Sequence, residues 1–134
     1  MSLQVCIITP KGILWNDQAD EIILPGPYGQ FGILQNHCRL FTGLDVGATY
    51  IRSNTTWTSL AVMGGFAQVE NNQVLVLAHD GEAAENIQLE QAETAFQEAT
   101  KRLDTAEGSK ERAEAMLAFK RARARYRVLR PLFN

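Results

Sequence analysis

Short apolar runs alternate with turn-forming residues over the first 84 positions of the chain. Most runs are rich in β-branched or aromatic residues, and Gly, Pro, Asn or Asp closes nearly every one. Ser53-Asn54 and Asn71-Asn72 are hairpin turn signals, and Gly64-Gly65 inside an apolar run indicates a bulge or a close backbone approach. Strands at this spacing predict an antiparallel β-sandwich or barrel over residues 1–84. The predicted strands are 3–9, 13–15, 19–24, 29–34, 48–52, 56–62, 65–69 and 73–78.

Beyond Gly81 the apolar period changes from two to about 3.6, which predicts helices over 85–134. Gly108 is predicted to end the first helix and Ser109 to cap the second, which runs from about 110 to 129. So short a connection predicts an antiparallel two-helix hairpin. The alanine-rich stripes that face each other in this hairpin bury little area. We therefore expect the hairpin to be stabilised by packing against the β part or against a partner. The predicted inner face of the first helix is Leu89, Ala92, Ala95, Phe96, Ala99, Leu103 and Ala106.

The second helix carries two apolar strips and two basic ridges. From Phe119 to the end there are six basic side chains and no acidic one. One strip is Ala115, Ala118, Phe119, Ala122, Tyr126 and Leu129; the narrower one is Ala113, Leu117, Ala124 and Val128. A helix that packs only on its own domain needs one strip, so we interpret this helix as built to meet an acidic partner. The alternative is a solvated basic face that offsets the helix macrodipole. The basic ridges are Lys120, Arg123, Arg127 and Arg130, and Arg121 with Arg125.

Composition is that of a globular domain with an appendage. The 134 residues carry a net charge of −2, and apolar runs stay well short of the ~20 residues that span a bilayer. The chain opens directly into a strand pattern, without a signal-peptide pattern. Residues 1–84 hold three Lys or Arg against seven Asp or Glu, whereas 85–134 hold ten against eight. Two cysteines, Cys6 and Cys38, make no disulfide framework, which favours a reducing compartment.

No catalytic, cofactor or metal site is expected from the sequence. His37 and His79 lack any metal-binding or catalytic spacing around them. A phosphate loop at Gly29 and Gly32 would need a following helix and a third glycine. The acidic cluster Asp17, Asp20 and Glu21 is interpreted as a solvated charge group on a strand start. We therefore expect a protein that is not an enzyme.

Three motifs together resemble the epsilon subunit family of F-type ATP synthases, in its chloroplast and cyanobacterial form. The resemblance covers the whole chain. The first motif is Gly29-Gln30-x-Gly32-Ile33-Leu34-x-Asn36-His37. The others are Ala61-x-Met63-Gly64-Gly65-Phe66-Ala67-x-Val69 and Phe119-Lys120-Arg121-Ala122-Arg123-Ala124-Arg125.

The resemblance implies an N-terminal β-sandwich, a C-terminal helical hairpin and a non-catalytic place in the central rotor stalk. The sandwich would bind the γ subunit and rest on the ring of c subunits. The hairpin would lie on the sandwich or extend along γ towards the α and β subunits, where it brakes ATP hydrolysis. The protein would be peripheral to the thylakoid membrane, on its stromal side in a chloroplast or its cytoplasmic side in a cyanobacterium.

The resemblance also implies two sets of contact residues. The loop 26–32 would meet the c ring through Tyr28, Gln30 and Phe31. An acidic segment of the β subunit would pair with Lys120, Arg121, Arg123 and Arg125. These side chains supply the complementary charge, and the forked donors of the three arginines suit carboxylates.

The chain departs from the family pattern at three places. Cys38-Arg39 stands where the family usually has Ala-Pro, and Pro25-Gly26-Pro27-Tyr28 is unusual before the first motif. Both bear on the shape of the loops that would face the c ring. Some bacterial relatives bind ATP through Ile-Asp-x-x-Arg-Ala. Here residues 87–92 have Gln88 and Gln91 in place of the Asp and Arg, so no ATP binding is expected there.

The rival interpretation is a small β-barrel adaptor whose basic amphipathic helix binds anionic lipid or RNA. Net acidic charge and the lack of aromatic platforms argue against nucleic acid. A basic helix with apolar strips leaves lipid binding open.

Overall fold

The computed structural model describes residues 2–130, which fold into eight β-strands, a 3₁₀ turn and two α-helices. Pro131, expected to break the second helix, lies outside the described residues. The strands are β1 Leu3–Thr9, β2 Gly12–Ala19, β3 Glu21–Gly26, β4 Gly29–Leu34, β5 Leu40–Ser53, β6 Thr56–Glu70, β7 Gln73–Ala78 and β8 Gly81–Ala83. The 3₁₀ turn Ala84–Asn86 leads to α1 Leu89–Thr105 and α2 Ser109–Arg127.

The strands follow the order β2-β1-β7-β6-β5-β3-β4, with β8 beside β6. The two long strands pass through both layers of a sandwich. Residues 65–70 of β6 and 40–44 of β5 join β2, β1 and β7 in what we call the β1 layer. Residues 56–63 of β6 and 46–53 of β5 join β8, β3 and β4 in the β3 layer. The predicted sandwich followed by a helical hairpin is confirmed.

Strands β5 and β6 pass from one layer to the other at an irregularity in their shared ladder. Their ladder skips Asp45 and Gly64, between the pairs Leu44–Gly65 and Val46–Met63. Gly64 and Gly65 have φ of +78° and +132°, which L side chains rarely adopt. A Cβ at Gly65 would lie 2.0 Å from the carbonyl oxygen of Leu77, so the predicted close backbone approach is confirmed.

The hydrophobic core lies between the two layers. Alternate residues of each strand point inward, as the period of two requires. The β1 layer contributes Leu3, Val5, Ile7, Val74 and Val76, and the β3 layer contributes Ile22, Leu24, Ile33, Ile51 and Leu60. One pairing departs from the expected antiparallel arrangement, because β1 and β7 run parallel.

Several strand boundaries differ from the prediction. The strands predicted at 56–62 and 65–69 form the single strand β6, and the short strand β8 was not predicted. The expected break at Asn16-Asp17 is wrong, because β2 continues to Ala19 as an edge strand whose exposed positions tolerate polar residues. Strand β5 begins at Leu40, eight residues before the predicted start at 48. Gly43, Asp45 and Gly47 interrupt its apolar pattern where the strand crosses between layers.

The helices form the predicted antiparallel hairpin, but its connection differs. Helix α1 ends at Thr105, and Gly108, with φ +83°, precedes α2 as its N-cap. The predicted cap at Ser109 is wrong: this residue is the first of α2, and no side-chain capping hydrogen bond forms. Neither described helix is long and apolar enough to cross a membrane.

The hairpin covers the outer face of the β3 layer. Ala124 of α2, Val128 directly after α2 and Ala92 of α1 are buried in a second core, against Tyr50 and Met63 among others. Between the helices, the ring of Phe96 lies 5.6 Å from that of Phe119 and 5.4 Å from that of Tyr126. On the predicted inner face of α1, Ala92 and Ala99 are buried, but Leu89 is 55% exposed and does not belong to that face.

Candidate functional site

Two of the four predicted β-subunit contacts on α2 bind carboxylates of the sandwich. The Lys120 Nζ lies 3.3 Å from Asp45 Oδ2, and the Arg125 Nε donates to Glu82 Oε2 at 2.6 Å. These side chains are partly buried, so water screens the pairs less than it would on an open surface. Sequence reasoning missed both acidic partners. The acidic excess of residues 1–84 beside the basic chain end was the available signal.

The other two predicted contacts, Arg121 and Arg123, lie elsewhere on the helix. The Arg123 guanidinium sits 5.2 Å from the centre of the Phe119 ring, a cation–π contact. Arg121 is exposed and lines a groove between the helices. The same groove holds Glu98 and an ion pair between Arg102 and Glu114 at 3.8 Å, so its charges are mixed. The structure therefore divides the four cations into two docked and two undocked.

The second apolar strip of α2 has a role within the chain. Its C-terminal residues Ala124 and Val128 are buried against the sandwich, which corrects the inference that the whole strip faces a partner. Its N-terminal residues Ala113 and Leu117 are exposed, with Leu117 at 45%. The C-terminal half of the strip therefore packs on the sandwich, and its N-terminal half is exposed to solvent.

The turn between β3 and β4 presents the predicted c-ring contacts unequally. Tyr28 and Gln30 are exposed, and the side chain of Tyr28 is as accessible as in an extended peptide. Phe31 is half-buried and packs against the core, so the expectation that it is exposed is wrong. The cause is Gly26: a Cβ there would lie 2.8 Å from the Phe31 ring, so the glycine leaves the space that the ring occupies.

Asn36 of the first motif forms hydrogen bonds that connect two loops. It has φ +67°, and its backbone N–H donates to Asn72 Oδ1 at 2.6 Å. The Asn72 Nδ2 donates back to Asn36 Oδ1 at 3.3 Å. These bonds join the loop after β4 to the turn between β6 and β7. Beside them, Arg39, which departs from the usual family pattern, forms an ion pair with Glu70 at 3.1 Å.

Tyr50 lies beneath α2 in the second core. Burial raises the pKa of its phenol above the ordinary value of about 10, and the nearby charge of Arg127 lowers the pKa in part. The neutral phenol is thus favoured while the hairpin is docked.

The two histidines of the chain lie apart from any candidate metal cluster among the described residues. Within residues 2–130, no group of three or more His, Cys, Asp or Glu could hold a metal ion. His37 places its Nδ1 2.6 Å from the Cys38 carbonyl oxygen, and the backbone of His79 donates to the Gly64 carbonyl.

Comparison with known proteins agrees with the fold. The family model described as the ATP synthase delta/epsilon chain β-sandwich domain matches residues 2–84. The model described as the long α-helix domain of the same chain matches residues 85–130.

Curated relatives match along nearly the whole chain. The chloroplastic ATP synthase epsilon chain of Chlorella vulgaris is 56% identical over 132 residues, covering 98% of each chain. That of Stigeoclonium helveticum is 51% identical, with the same coverage.

Solved structures extend the likeness to distant relatives. A chain of the Euglena gracilis mitochondrial ATP synthase, from a structure of OSCP, F1 and c-ring, superposes with a TM-score of 0.80 at 17% identity, over 90% of this chain and 77% of that one. A chain from the central stalk and c-ring of the Tetrahymena thermophila mitochondrial enzyme gives 0.69 at 14%, over 97% and 98%. At such identities the likeness shows the fold alone. Since the family models match from residue 2 to residue 130, the chain belongs to the ATP synthase delta/epsilon chain family.

Proposed function

We propose that this chain is a non-catalytic epsilon subunit of the central stalk of a proton-translocating F-type ATP synthase. It couples the γ subunit to the c ring and restrains ATP hydrolysis through α1 and α2. The observation that carries this proposal is the 56% identity to a chloroplastic epsilon chain over 98% of both chains. The rival, an adaptor for lipid or RNA, has no support in the comparisons.

The proposed partners follow from the assemblies in which relatives were solved. Those structures are described as containing F1 and c-ring, or central stalk and c-ring. For this chain the partners are the γ subunit, the c ring, and the α and β subunits. Because the curated relatives are chloroplastic, the complex is one of the thylakoid membrane. We place the subunit on the stromal side, where the catalytic heads would meet it.

The proposed contact with the c ring is the exposed tip of the β3–β4 turn. Tyr28 lies in this turn and Gln30 at the start of β4, and a loop held by a rigid sandwich is a suitable interface. Phe31 supports the turn from below through its packing on the core. The three predicted residues thus divide into two contacts and one support.

The proposed contact with the β subunit uses the cations of α2. Lys120 and Arg125 bind Asp45 and Glu82 while the hairpin is docked, so an acidic partner must compete for them. Arg121 and Arg123 carry no ion pair to the sandwich among those the structure describes. An encounter can therefore begin at these two cations and be completed when the hairpin leaves the sandwich.

Two units divide this work, residues 1–84 as the coupling sandwich and residues 85–134 as the inhibitory hairpin. The sandwich has its own core between its layers, and the hairpin adds only a second core on one outer face. The sandwich therefore has what it needs to fold and couple without the hairpin.

The test measures ATP hydrolysis by catalytic heads of α, β and γ subunits with this chain at matched occupancy. Replacing Lys120, Arg121, Arg123 and Arg125 together by Ala keeps helix propensity and removes the cations. We expect that variant to lose inhibition, and raised salt to weaken inhibition by the unchanged chain.

The matched control keeps all four cations. Asp45→Asn with Glu82→Gln removes only the competing carboxylates, so we expect inhibition to strengthen. If the four-alanine variant inhibits as well as the unchanged chain, and salt has no effect, inhibition acts through the bulk of the helix and the charge mechanism fails.

A further inference from the structure

A cleft opens at the side of the sandwich where β8 ends. Strand β8 pairs with residues 60–62 of β6, whereas residues 56–59 of β6 pair only with β5. Beside β8 the strand β2 lies close, since a Cβ at Gly81 would be 2.8 Å from Leu14 Cδ2. Beyond Ala83 no strand of the described chain fills the space between β2 and β6, and a cavity of about 440 Å³ remains there.

The walls of this cleft are mostly apolar. Leu14 and Trp15 line it from β2, Leu60 from β6 and Ala83 from β8. Trp57 also lines it, so both tryptophans of the chain lie at this one site. A concave, mainly apolar and aromatic surface of this volume is typical of sites that bind small molecules.

One polar group of the wall is buried without a hydrogen-bond partner. Trp15 pairs with the core residue Ile7, so its ring points between the two layers and packs partly on the core. Its indole Nε1 is buried and has no acceptor among the described residues. A buried donor that lacks an acceptor destabilises the fold, and a ligand that supplies the acceptor removes this cost.

The charge at the cleft selects against anions. Glu85 is exposed at one side of the cleft, and the ion pairs of residues 2–130 do not include it. Its negative charge disfavours a carboxylate or phosphate there. The hydroxyls of Thr58 and Ser59, which also line the cleft, are neutral. The acceptor that suits Trp15 is therefore an uncharged oxygen.

We infer that this cleft binds a small, uncharged, largely apolar molecule through a carbonyl oxygen, which accepts the hydrogen of Trp15 Nε1. Apolar ketones, esters, amides and quinones belong to this class. None of the residues proposed to contact the c ring or the β subunit lines the cleft. The inference therefore stands apart from the proposed function.

The cleft also touches the joint between the sandwich and the hairpin. Ala84 and Glu85 form part of its wall, and the two family models meet at these residues. The Ile87 amide donates to the Ala84 carbonyl at 3.1 Å and so reports on opening of this turn. A ligand held against the turn stabilises its closed form, so binding should slow hydrogen exchange of the Ile87 amide.

The test follows the indole N–H signals of the isotope-labelled full chain by NMR, with cyclohexanone as the probe. Trp15 and Trp57 are the two sources of such signals, and Trp15→Phe shows which signal belongs to which ring. Cyclohexanone carries an acceptor but no aromatic ring that would itself shift the signals. We expect it to move the Trp15 indole proton downfield, with a Kd on the order of 1 to 10 mM for so small a ligand.

Cyclohexane is the matched probe, because it has the same ring and no acceptor. It should leave the Trp15 indole proton without a downfield shift. This comparison uses the unchanged chain and does not depend on whether a variant folds.

Two variants add a second comparison, in which backbone amide signals of residues 58–60 report binding. Trp15→Phe keeps an aromatic wall but removes the donor, and should weaken cyclohexanone binding about fivefold, the effect of one lost hydrogen bond. Trp57→Phe removes the other indole and should keep the downfield shift of Trp15.

Four results would overturn the inference. Cyclohexanone could leave the Trp15 signal unmoved at concentrations well above the expected Kd, or shift the Trp57 signal alone. Cyclohexane could produce the same downfield shift, so that no acceptor is involved. Tetramethylammonium could bind more tightly than cyclohexanone, which would mark a cation site beside Glu85.

Discussion

Arg125 of α2 donates its Nε hydrogen to the carboxylate of Glu82 on β8 at 2.6 Å, joining the hairpin to the sandwich. Lys120 makes a second link, to Asp45 at the crossing of β5 and β6. The two pairs lie beside the second core, in which Ala124 and Val128 pack against Tyr50 and Met63 among others. Docking of the hairpin therefore combines apolar burial with two ion pairs that each contribute a smaller amount.

The first prediction concerns these links. Asp45→Asn with Glu82→Gln should speed hydrogen exchange of the α1 and α2 amides by roughly fivefold, since two partly exposed pairs contribute on the order of 1 kcal/mol. The sandwich amides should keep their protection. Asp80→Asn is the control, because Asp80 pairs with Lys11 at 3.7 Å, away from the hairpin. Equal exchange in the double variant and the control would show that the links do not hold the hairpin.

The second prediction concerns the bend of β6. Gly65→Ala should destabilise the protein by about 3 kcal/mol or more, because the new Cβ would collide with the Leu77 backbone. Gly12→Ala is a close control: Gly12 has φ +129° against +132° for Gly65, but nothing lies within 4 Å of its Cβ position. It should cost only about 1 kcal/mol of backbone strain. Urea unfolding measures both, and equal losses would reject the collision as the cause.

The third prediction concerns pH. Since the folded-state pKa of Tyr50 is raised, the unfolded chain ionises first as pH increases. The stability that this neutral phenol contributes should be intact below pH about 10 and fall as pH rises towards the folded-state pKa. Urea unfolding between pH 9 and about 11 should show a steeper loss for the unchanged chain than for Tyr50→Phe, whereas Tyr28→Phe should follow the unchanged chain. Parallel curves for Tyr50→Phe and the unchanged chain would contradict it.

The fourth prediction concerns independence of the sandwich. A chain ending at Glu85 should keep its β-type circular dichroism and melt cooperatively, because the core between the layers is complete without the helices. Its melting temperature should be lower, since Tyr50 and Met63 lose their cover. Such a chain should restore coupled ATP synthesis to a complex lacking this subunit and should not inhibit hydrolysis. A spectrum typical of disorder would show that the division at residue 84 is wrong.

The fifth prediction concerns the β3–β4 turn. Cysteine at Tyr28 or Gln30 should crosslink to the polar loop of subunit c, because both side chains are exposed. Cysteine at Phe31 should crosslink poorly, since this side chain packs inward on the core. Crosslinks from Tyr28 and Gln30 to the α or β subunits alone would reject the placement of this turn.

Local chemistry made much of the fold predictable. Asn54, Asn71 and Asn72 all have positive φ, as their turn signals indicate. The change of apolar period near Gly81 located the helices to within a few residues. In both cases the signal lies in neighbouring residues of the chain.

Long-range pairing was not predictable in the same way. The parallel contact between β1 and β7 joins segments about seventy residues apart and leaves no local mark. The same holds for the bonds between Asn36 and Asn72 and for the links from Arg125 to Glu82 and from Lys120 to Asp45. Sequence reasoning found the cations of α2 but not their acidic partners, because a helix pattern shows charges and not what the fold brings beside them.

The passage of β5 and β6 through both layers has a mechanical consequence. Each strand is one covalent chain that belongs to the β1 layer at one end and to the hairpin-covered β3 layer at the other. A twisting force applied to one layer is transmitted to the other along the main chain and its ladder of hydrogen bonds. It does not depend on side-chain packing between the layers. The sandwich is thereby suited to act as a stiff coupling, and Gly64 and Gly65 lie at the bend through which that force passes.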